Sequence, residues 1–135
     1  MTMYVQTGAI HHLTLTVTDV DRSTKFYTRP LGFQVAMMYG PRALLSNGAM
    51  ILVLTPPPDP DRAISDDTFN ENRVGLDHVS FSVSNRDALE QAVNLFKEQG
   101  IPHGDITDLG SDVGIYILAF RDPDNIQIEL TAPYS

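Results

Sequence analysis

Two stretches of the chain match position by position: His12-Leu-Thr-Leu-Thr-Val-Thr-Asp-Val-Asp21 and His78-Val-Ser-Phe-Ser-Val-Ser-Asn-Arg-Asp87. Each reads histidine, apolar, hydroxyl, apolar, hydroxyl, valine, hydroxyl, Asp or Asn, any residue, Asp, and the copies are 78 − 12 = 66 residues apart. Such self-similarity indicates a duplicated structural unit. The strict alternation predicts a strand in each copy, with apolar side chains on one face and the histidine and hydroxyls on the other.

Each predicted strand is followed by a helical stretch and then by three strand-like stretches. Asp19 and Asn85 are predicted helix N-caps or turn residues. The helices are expected over residues 23–32 and 86–100, each ending at a glycine. Strands are expected over residues 33–39, 43–46 and 50–55 in the first copy, and over 102–107, 115–120 and 126–131 in the second. The sequence thus predicts an α+β protein with two βαβββ modules that form a curved mixed sheet.

Length and composition favour one folded domain. The 135 residues are 42% hydrophobic and 19% charged, and there is no cysteine, so a bound metal would need imidazole and oxygen ligands. The net charge of −8 argues against a nucleic acid partner. No apolar run is long enough to span a membrane and no export signal is visible, so the cytoplasm is the expected location.

Strand alternation also predicts which side chains share the polar face. Glu129 alternates with Ile128 and Leu130 in the last strand, so it is expected on the same face as His12 and His78. Two imidazoles and one carboxylate suit a divalent transition metal with coordination positions left for substrate. The alternative interpretation is a solvated polar face, on which isolated histidines and glutamates are common.

At these residues the chain resembles the vicinal oxygen chelate superfamily, which includes glyoxalase I, extradiol dioxygenases, methylmalonyl-CoA epimerase, and fosfomycin and bleomycin resistance proteins. The resemblance spans nearly the whole chain, through the segments around His12, Phe26-Tyr27, Leu31-Gly32-Phe33, residues 75–83 and residues 120–129. It implies a single glyoxalase-like domain over residues 1–135, with module one at about 8–56, a linker at about 57–74 and module two at about 75–132. It also implies a metal-binding cleft with ligands His12, His78 and Glu129, bound to Fe, Mn, Ni, Co or Zn, and a homodimer in which one site can draw ligands from both chains.

The resemblance also limits which reactions of the superfamily are expected for this chain. Glyoxalase I has a fourth ligand, a glutamate, where Val53 stands here, so true glyoxalase I activity is not expected. Three ligands are what extradiol dioxygenases use, but the tyrosine that often lies ten residues before their glutamate is replaced by Ala119. Thr14 matches a threonine of the fosfomycin branch, whereas no matching lysine is found in the loop after residue 104.

The expected function is therefore a metal-dependent lyase, isomerase or ring-cleaving dioxygenase acting on a small, partly apolar substrate that chelates the metal through two oxygens. The predicted substrate-binding residues are Thr14, Val53, Ile117, Ala119 and Phe69. No certain general base is visible; His103 and Tyr39 are weak candidates. The alternative is an antibiotic-binding protein of the bleomycin-resistance type, which binds without catalysis. The proline-rich linker is expected to be either a lid over the cleft, with Phe69 touching the ligand, or a plain connection.

Overall fold

The computed structural model describes residues 3–134 and divides into two compact units, one ending at Ala63 and the other beginning at Ile64. The boundary falls inside the predicted linker. Each unit contains one helix of the predicted βαβββ module and its own four-stranded mixed sheet. The predicted α+β fold with two modules is confirmed.

The first unit contains β1, α1, β2, β3 and β4, and ends in one turn of 3-10 helix, Pro60–Arg62. The sheet order is β1-β4-β3-β2, in which β1 and β4 are parallel and the other pairs antiparallel. The bounds are His12–Thr16 for β1, Val20–Thr28 for α1, Gln34–Tyr39 for β2, Arg42–Ser46 for β3 and Ile51–Thr55 for β4.

The second unit repeats this arrangement with β5, α2, β6, β7 and β8. Its sheet order is β5-β8-β7-β6, again with the first pair parallel and the others antiparallel. The bounds are Val79–Ser82 for β5, Arg86–Gln99 for α2, Thr107–Asp108 for β6, Ile115–Arg121 for β7 and Gln127–Pro133 for β8.

The alternation of the strands produces the core of each unit. In the first unit Leu52 and Leu54 are fully buried under α1, and in the second unit Leu118 and Ile128 are fully buried under α2. The opposite face of each sheet carries the histidines and hydroxyls. We call this second surface the open face of each unit.

The predicted helix N-caps are observed, although α1 begins at Val20 rather than at residue 23. The Asp19 carboxylate accepts a hydrogen bond from the Arg22 backbone N–H at 3.1 Å, and the Asn85 side chain accepts one from Ala88 at 3.0 Å. These caps satisfy backbone donors that the first helical turn leaves free.

Two further predicted boundaries differ more strongly from the structure. Helix α1 ends at Thr28 rather than at Gly32, because Pro30 follows the C-cap residue and cannot supply the N–H that a further turn needs. The strand expected over residues 102–107 is reduced to the two residues of β6, and His103 makes only an isolated bridge to Phe120.

None of the helices within residues 3–134 combines the length and apolar character that crossing a membrane requires.

Candidate metal centre

His78 and Glu129 lie side by side on the open face of the second unit. His78 immediately precedes β5, and Glu129 lies on the parallel neighbour β8, in register with Ser80. The His78 Nε2 atom is 3.6 Å from the Glu129 Oε2 atom, which is too long for a hydrogen bond. The two atoms therefore approach each other without being bonded.

The proton on His78 is assigned by the other ring nitrogen. Nδ1 of His78 lies 2.7 Å from Oδ1 of Asp77. An ionised carboxylate only accepts hydrogen bonds. Nδ1 of His78 therefore carries the proton and donates a hydrogen bond to Asp77. In the neutral ring Nε2 then keeps its lone pair, which is directed towards the side of the sheet that holds Glu129.

Glu129 is supported from the neighbouring hydroxyls. Thr131 donates a hydrogen bond from Oγ1 to Glu129 Oε1 at 3.3 Å, and the Ser80 hydroxyl contacts Thr131. The Glu129 side chain is only 14% exposed, against 39% for His78. Thr131 therefore occupies Oε1 of Glu129, and Oε2, which faces His78, accepts no hydrogen bond from Thr131.

These atoms fit a divalent cation. An imidazole lone pair and a carboxylate oxygen are donors that first-row divalent metals prefer, and both are oriented by outer partners. Within residues 3–134, however, no three or more His, Cys, Asp or Glu side chains form a group that could hold a metal ion. The structure therefore brings two predicted ligands together, and the third, His12, stays a prediction.

His12 opens β1 in the first unit, in register with Ile51 of β4, and its side chain is exposed. Its Nδ1 atom is 2.9 Å from Nδ1 of His11. One of the two rings donates in this contact, so His11 is the hydrogen-bond neighbour of His12.

Val53 occupies the position in the first unit that Glu129 occupies in the second. Val53 is in register with Thr14, as Glu129 is with Ser80, and 14 + 66 = 80 matches the repeat offset. Val53 is 8% exposed and is flanked on its other side by Leu44 of β3. The first unit therefore presents an aliphatic side chain where the second presents a carboxylate.

Of the other predicted site residues, Ile117 and Ala119 lie on the open face of the second unit, where Ala119 is directly paired with Glu129. Tyr39 ends the edge strand β2 and is exposed.

His103 lies on the opposite side of its sheet. Its ring is 5.9 Å from the ring of Phe96, a buried residue of α2, and its Nδ1 contacts the Ile101 carbonyl. The helix-packed position of His103 separates it from Glu129.

The segment that contains Phe69 is attached to the β7–β8 turn. The Phe69 backbone donates to the Asp124 carbonyl at 2.9 Å and accepts from the Asn125 side chain at 3.0 Å. Glu71 forms a pair with Arg121 at 2.6 Å, and this guanidinium contact lowers the pKa of the Glu71 carboxyl. A cavity of about 390 Å³ lies along this segment and is lined by residues 64–71, Arg73 and Asn125.

Comparison with known proteins agrees with this architecture. A model of the Glyoxalase/Bleomycin resistance protein/Dioxygenase superfamily matches residues 9–130. The chain belongs to this superfamily. The resemblance read from the sequence is thereby confirmed for the family and its fold.

Relatives within the superfamily cover almost the full chain. YwkD of Bacillus subtilis (strain 168), an uncharacterized protein, is 30% identical in an alignment of 131 positions that covers 90% of this chain and 94% of YwkD. The glyoxylase/bleomycin resistance protein/dioxygenase domain from Frankia sp. EAN1pec superposes with a TM-score of 0.77 at 28% identity, covering 95% and 93% of the two chains. A lactoylglutathione lyase from Agrobacterium tumefaciens has the same fold, with a TM-score of 0.72 at 22% identity and coverage of 93% and 94%.

Sequence reasoning missed the contacts made around the two predicted ligands His78 and Glu129 by four residues: Asp77, Gln127, Thr131 and Ser80. Thr131 could have been found, because it lies two residues after Glu129 and so shares its face of the strand. The contact of Asp77 with His78 has no such signal in the sequence, since neighbouring residues of a strand point to opposite faces.

Proposed function

We propose that this member of the superfamily is a divalent-metal-dependent enzyme that acts on a small, partly apolar substrate holding the metal through two oxygens. The reaction class is that of a lyase, an isomerase or a ring-cleaving dioxygenase. The observation that carries the proposal is the proximity of two atoms that can coordinate a metal, His78 Nε2 and Glu129 Oε2, which are 3.6 Å apart and not hydrogen-bonded to each other. The other ring nitrogen of His78 contacts Asp77, and the other carboxylate oxygen of Glu129 accepts from Thr131.

His12 is the proposed third ligand, supplied from the matching start of β1. The bound ion, Fe, Mn, Ni, Co or Zn, would act as a Lewis acid on the substrate oxygens. The residues of the chain would hold the substrate in one orientation and limit the access of water. Ile117 and Ala119 beside Glu129, with Thr14 and Val53 of the first unit, are the side chains we propose for its apolar and polar contacts, and Phe69 for contacts made by the residue 64–73 segment.

The aliphatic side chain at position 53 argues against a true glyoxalase I. Valine neither binds a metal nor transfers a proton, and it stands in the register position of Glu129. The helix-packed location of His103 argues against its use as a general base. Tyr39 remains the proposed candidate for proton transfer.

We further propose that the protein is a cytoplasmic homodimer. Strand β2 is an edge strand whose six residues are all exposed, including Val35, Met37, Met38 and Tyr39. Exposed apolar edge strands readily pair with another chain, so a second copy of this chain is the proposed partner.

Metal titration tests the proposal. The protein is stripped with chelator and titrated calorimetrically with Co(II), Ni(II), Zn(II), Mn(II) and anaerobic Fe(II). We expect one ion per chain for wild type. The variants His12→Ala, His78→Ala and Glu129→Ala should each lose more affinity than the about 10–100-fold that removal of an outer partner costs.

The control variant is Glu90→Gln, a surface carboxylate on α2 that pairs with Arg86 and should leave metal affinity unchanged. The loaded protein is then assayed against diketones, α-hydroxy ketones and catechols. Absence of stoichiometric metal in the wild-type protein would overturn the proposal.

A further inference from the structure

Each predicted histidine ligand is preceded by a residue that contacts its Nδ1 atom. Asp77 contacts His78 at 2.7 Å, and His11 contacts His12 at 2.9 Å. The two preceding residues are related by the repeat offset, since 11 + 66 = 77. A contact between the preceding residue and the histidine Nδ1 atom thus occurs in both copies of the repeat, with a carboxylate in one copy and an imidazole in the other.

The two versions differ in what they impose on the ligand. A carboxylate can only accept, so Asp77 requires the proton on Nδ1 of His78 and leaves Nε2 as the free donor of an electron pair. An imidazole can donate or accept, so His11 allows either tautomer of His12. Only the second copy assigns the nitrogen that is available to a metal.

Asp77 is itself held in position. Gln127, the first residue of β8, donates from Nε2 to the Asp77 carboxylate Oδ1 and to the Asp77 backbone carbonyl, both at 3.1 Å. The Asp77 side chain is 67% exposed, so burial does not restrict its rotamer. The glutamine contact links the rotamer of Asp77 to the strand that carries Glu129.

We propose that Asp77, held by Gln127, is a positioning residue that makes Nε2 of His78 the metal-binding nitrogen. This inference rests on the proposed metal site. In metal centres generally, a carboxylate on the second ring nitrogen fixes the tautomer and raises ligand basicity, and its loss lowers metal affinity about 10–100-fold.

Two measurements test the inference on the whole 135-residue chain. The first is a nitrogen-15 NMR experiment on histidine-labelled, metal-free protein at about pH 8. We expect His78 to carry its proton on Nδ1 in wild type and to shift towards the Nε2-protonated form in Asp77→Ala. The second is Co(II) affinity by calorimetry, which should fall about 10–100-fold in Asp77→Ala.

Conservative and control variants separate this role from a merely structural one. Asp77→Asn keeps an acceptor oxygen and should lie between wild type and Asp77→Ala in both measurements, while Gln127→Ala should show a smaller shift in the same direction. Asp105→Ala removes an exposed carboxylate of the loop before β6 and should change neither. The thermal midpoint of each metal-free variant checks folding, and Asp77→Asn replaces Asp77→Ala if the latter is unfolded.

The outcomes distinguish this inference from the proposed function. If wild type binds Co(II) but the Asp77 variants keep both its affinity and the His78 tautomer, the inference is wrong and the metal site stands. A fall in affinity with an unchanged tautomer also overturns it, because the effect would then be structural. If wild type binds no divalent metal, the inference and the proposed function fail together.

Discussion

Ser23 is a buried serine of α1 whose hydroxyl oxygen has no hydrogen-bond partner within residues 3–134. Its backbone N–H donates to the Asp19 carbonyl in the first turn, so only the side chain is unsatisfied. A buried hydroxyl without a partner loses its hydration and gains nothing in return. At this residue the chain tolerates a cost that alanine would avoid.

We expect Ser23→Ala to raise the free energy of unfolding by about 1 kcal/mol, since it removes an unsatisfied polar group and introduces a better helix former. Urea denaturation of metal-free protein measures the change. Thr24→Ala, next to it on α1 and half-buried, is the control for the gain in helix propensity alone. Lower stability in Ser23→Ala than in wild type would contradict this account of the hydroxyl.

At the scale of elements, β6, β7 and the end of the chain are joined by a polar and aromatic cluster. The Tyr134 hydroxyl donates to the Asp108 carboxylate, and the Tyr134 ring stacks on Tyr116 at 4.8 Å between centroids. The guanidinium of Arg86, the first residue of α2, lies 5.0 Å from the centroid of the Tyr116 ring in β7. The hydrogen bond to Asp108 raises the pKa of Tyr134 to about 12, and the same contact lowers the pKa of Asp108.

This contact predicts a pH-dependent contribution to stability. Because the folded-state pKa of Tyr134 lies above its ordinary value of 10.0, the contribution is fully present below pH 10.0 and is lost as the pH rises towards about 12. We expect wild type to be more stable than Tyr134→Phe at pH 8, and the difference to shrink at pH 11. Chemical denaturation at both values measures it, with Tyr4→Phe, an exposed tyrosine, as control. A difference that is equal at pH 8 and pH 11 would refute the assignment.

The helices and strands also show which structural features could be predicted from the sequence. Strands β1 and β5 and the N-caps Asp19 and Asn85 were predicted correctly, because alternation and capping are local patterns. The short β6 was not, since residues 102–106 have strand-like composition but pair only at His103. In the candidate site, parity predicted that His78 and Glu129 share a face, whereas the contact of Asp77 with His78 depends on side-chain rotamers that no periodicity encodes.

At the scale of the whole molecule, the exposed edge strand β2 bears on assembly. Met38 is 54% exposed and Tyr39 65%, in a strand whose outer backbone edge has no neighbour in the sheet order of its unit. Such a surface is usually covered in the functional assembly or protected by charge, and β2 contains no charged residue.

We expect the wild-type protein to elute with twice the 14.9 kDa mass of one chain in size-exclusion chromatography with light scattering. Met38→Asp should weaken the dimer at least tenfold, because it would bury a charge in an apolar contact. Gln91→Asp, which changes an exposed side chain of α2, is the matched control. A wild-type monomer at micromolar concentration would contradict the proposal of a homodimer.

Co-refolding of the His12→Ala and His78→Ala variants tests whether the three proposed ligands of one site come from one chain or from two. If each site takes its ligands from two chains, random pairing restores about a quarter of the sites. If each site lies within one chain, the mixture restores none. Co(II) binding by the mixture, compared with either variant alone, distinguishes these two arrangements.

The register match between Val53 and Glu129 gives the molecule an internal reference. One half of a duplicated chain carries the acid and the other half carries its aliphatic counterpart, in the same strand position and within the same polypeptide. Exchanging them, as Val53→Glu with Glu129→Val, would transfer the carboxylate to the opposite half without changing composition, charge or length. Spectroscopic signals that follow the carboxylate would then be attributable to its position, because the two proteins have the same composition, charge and length.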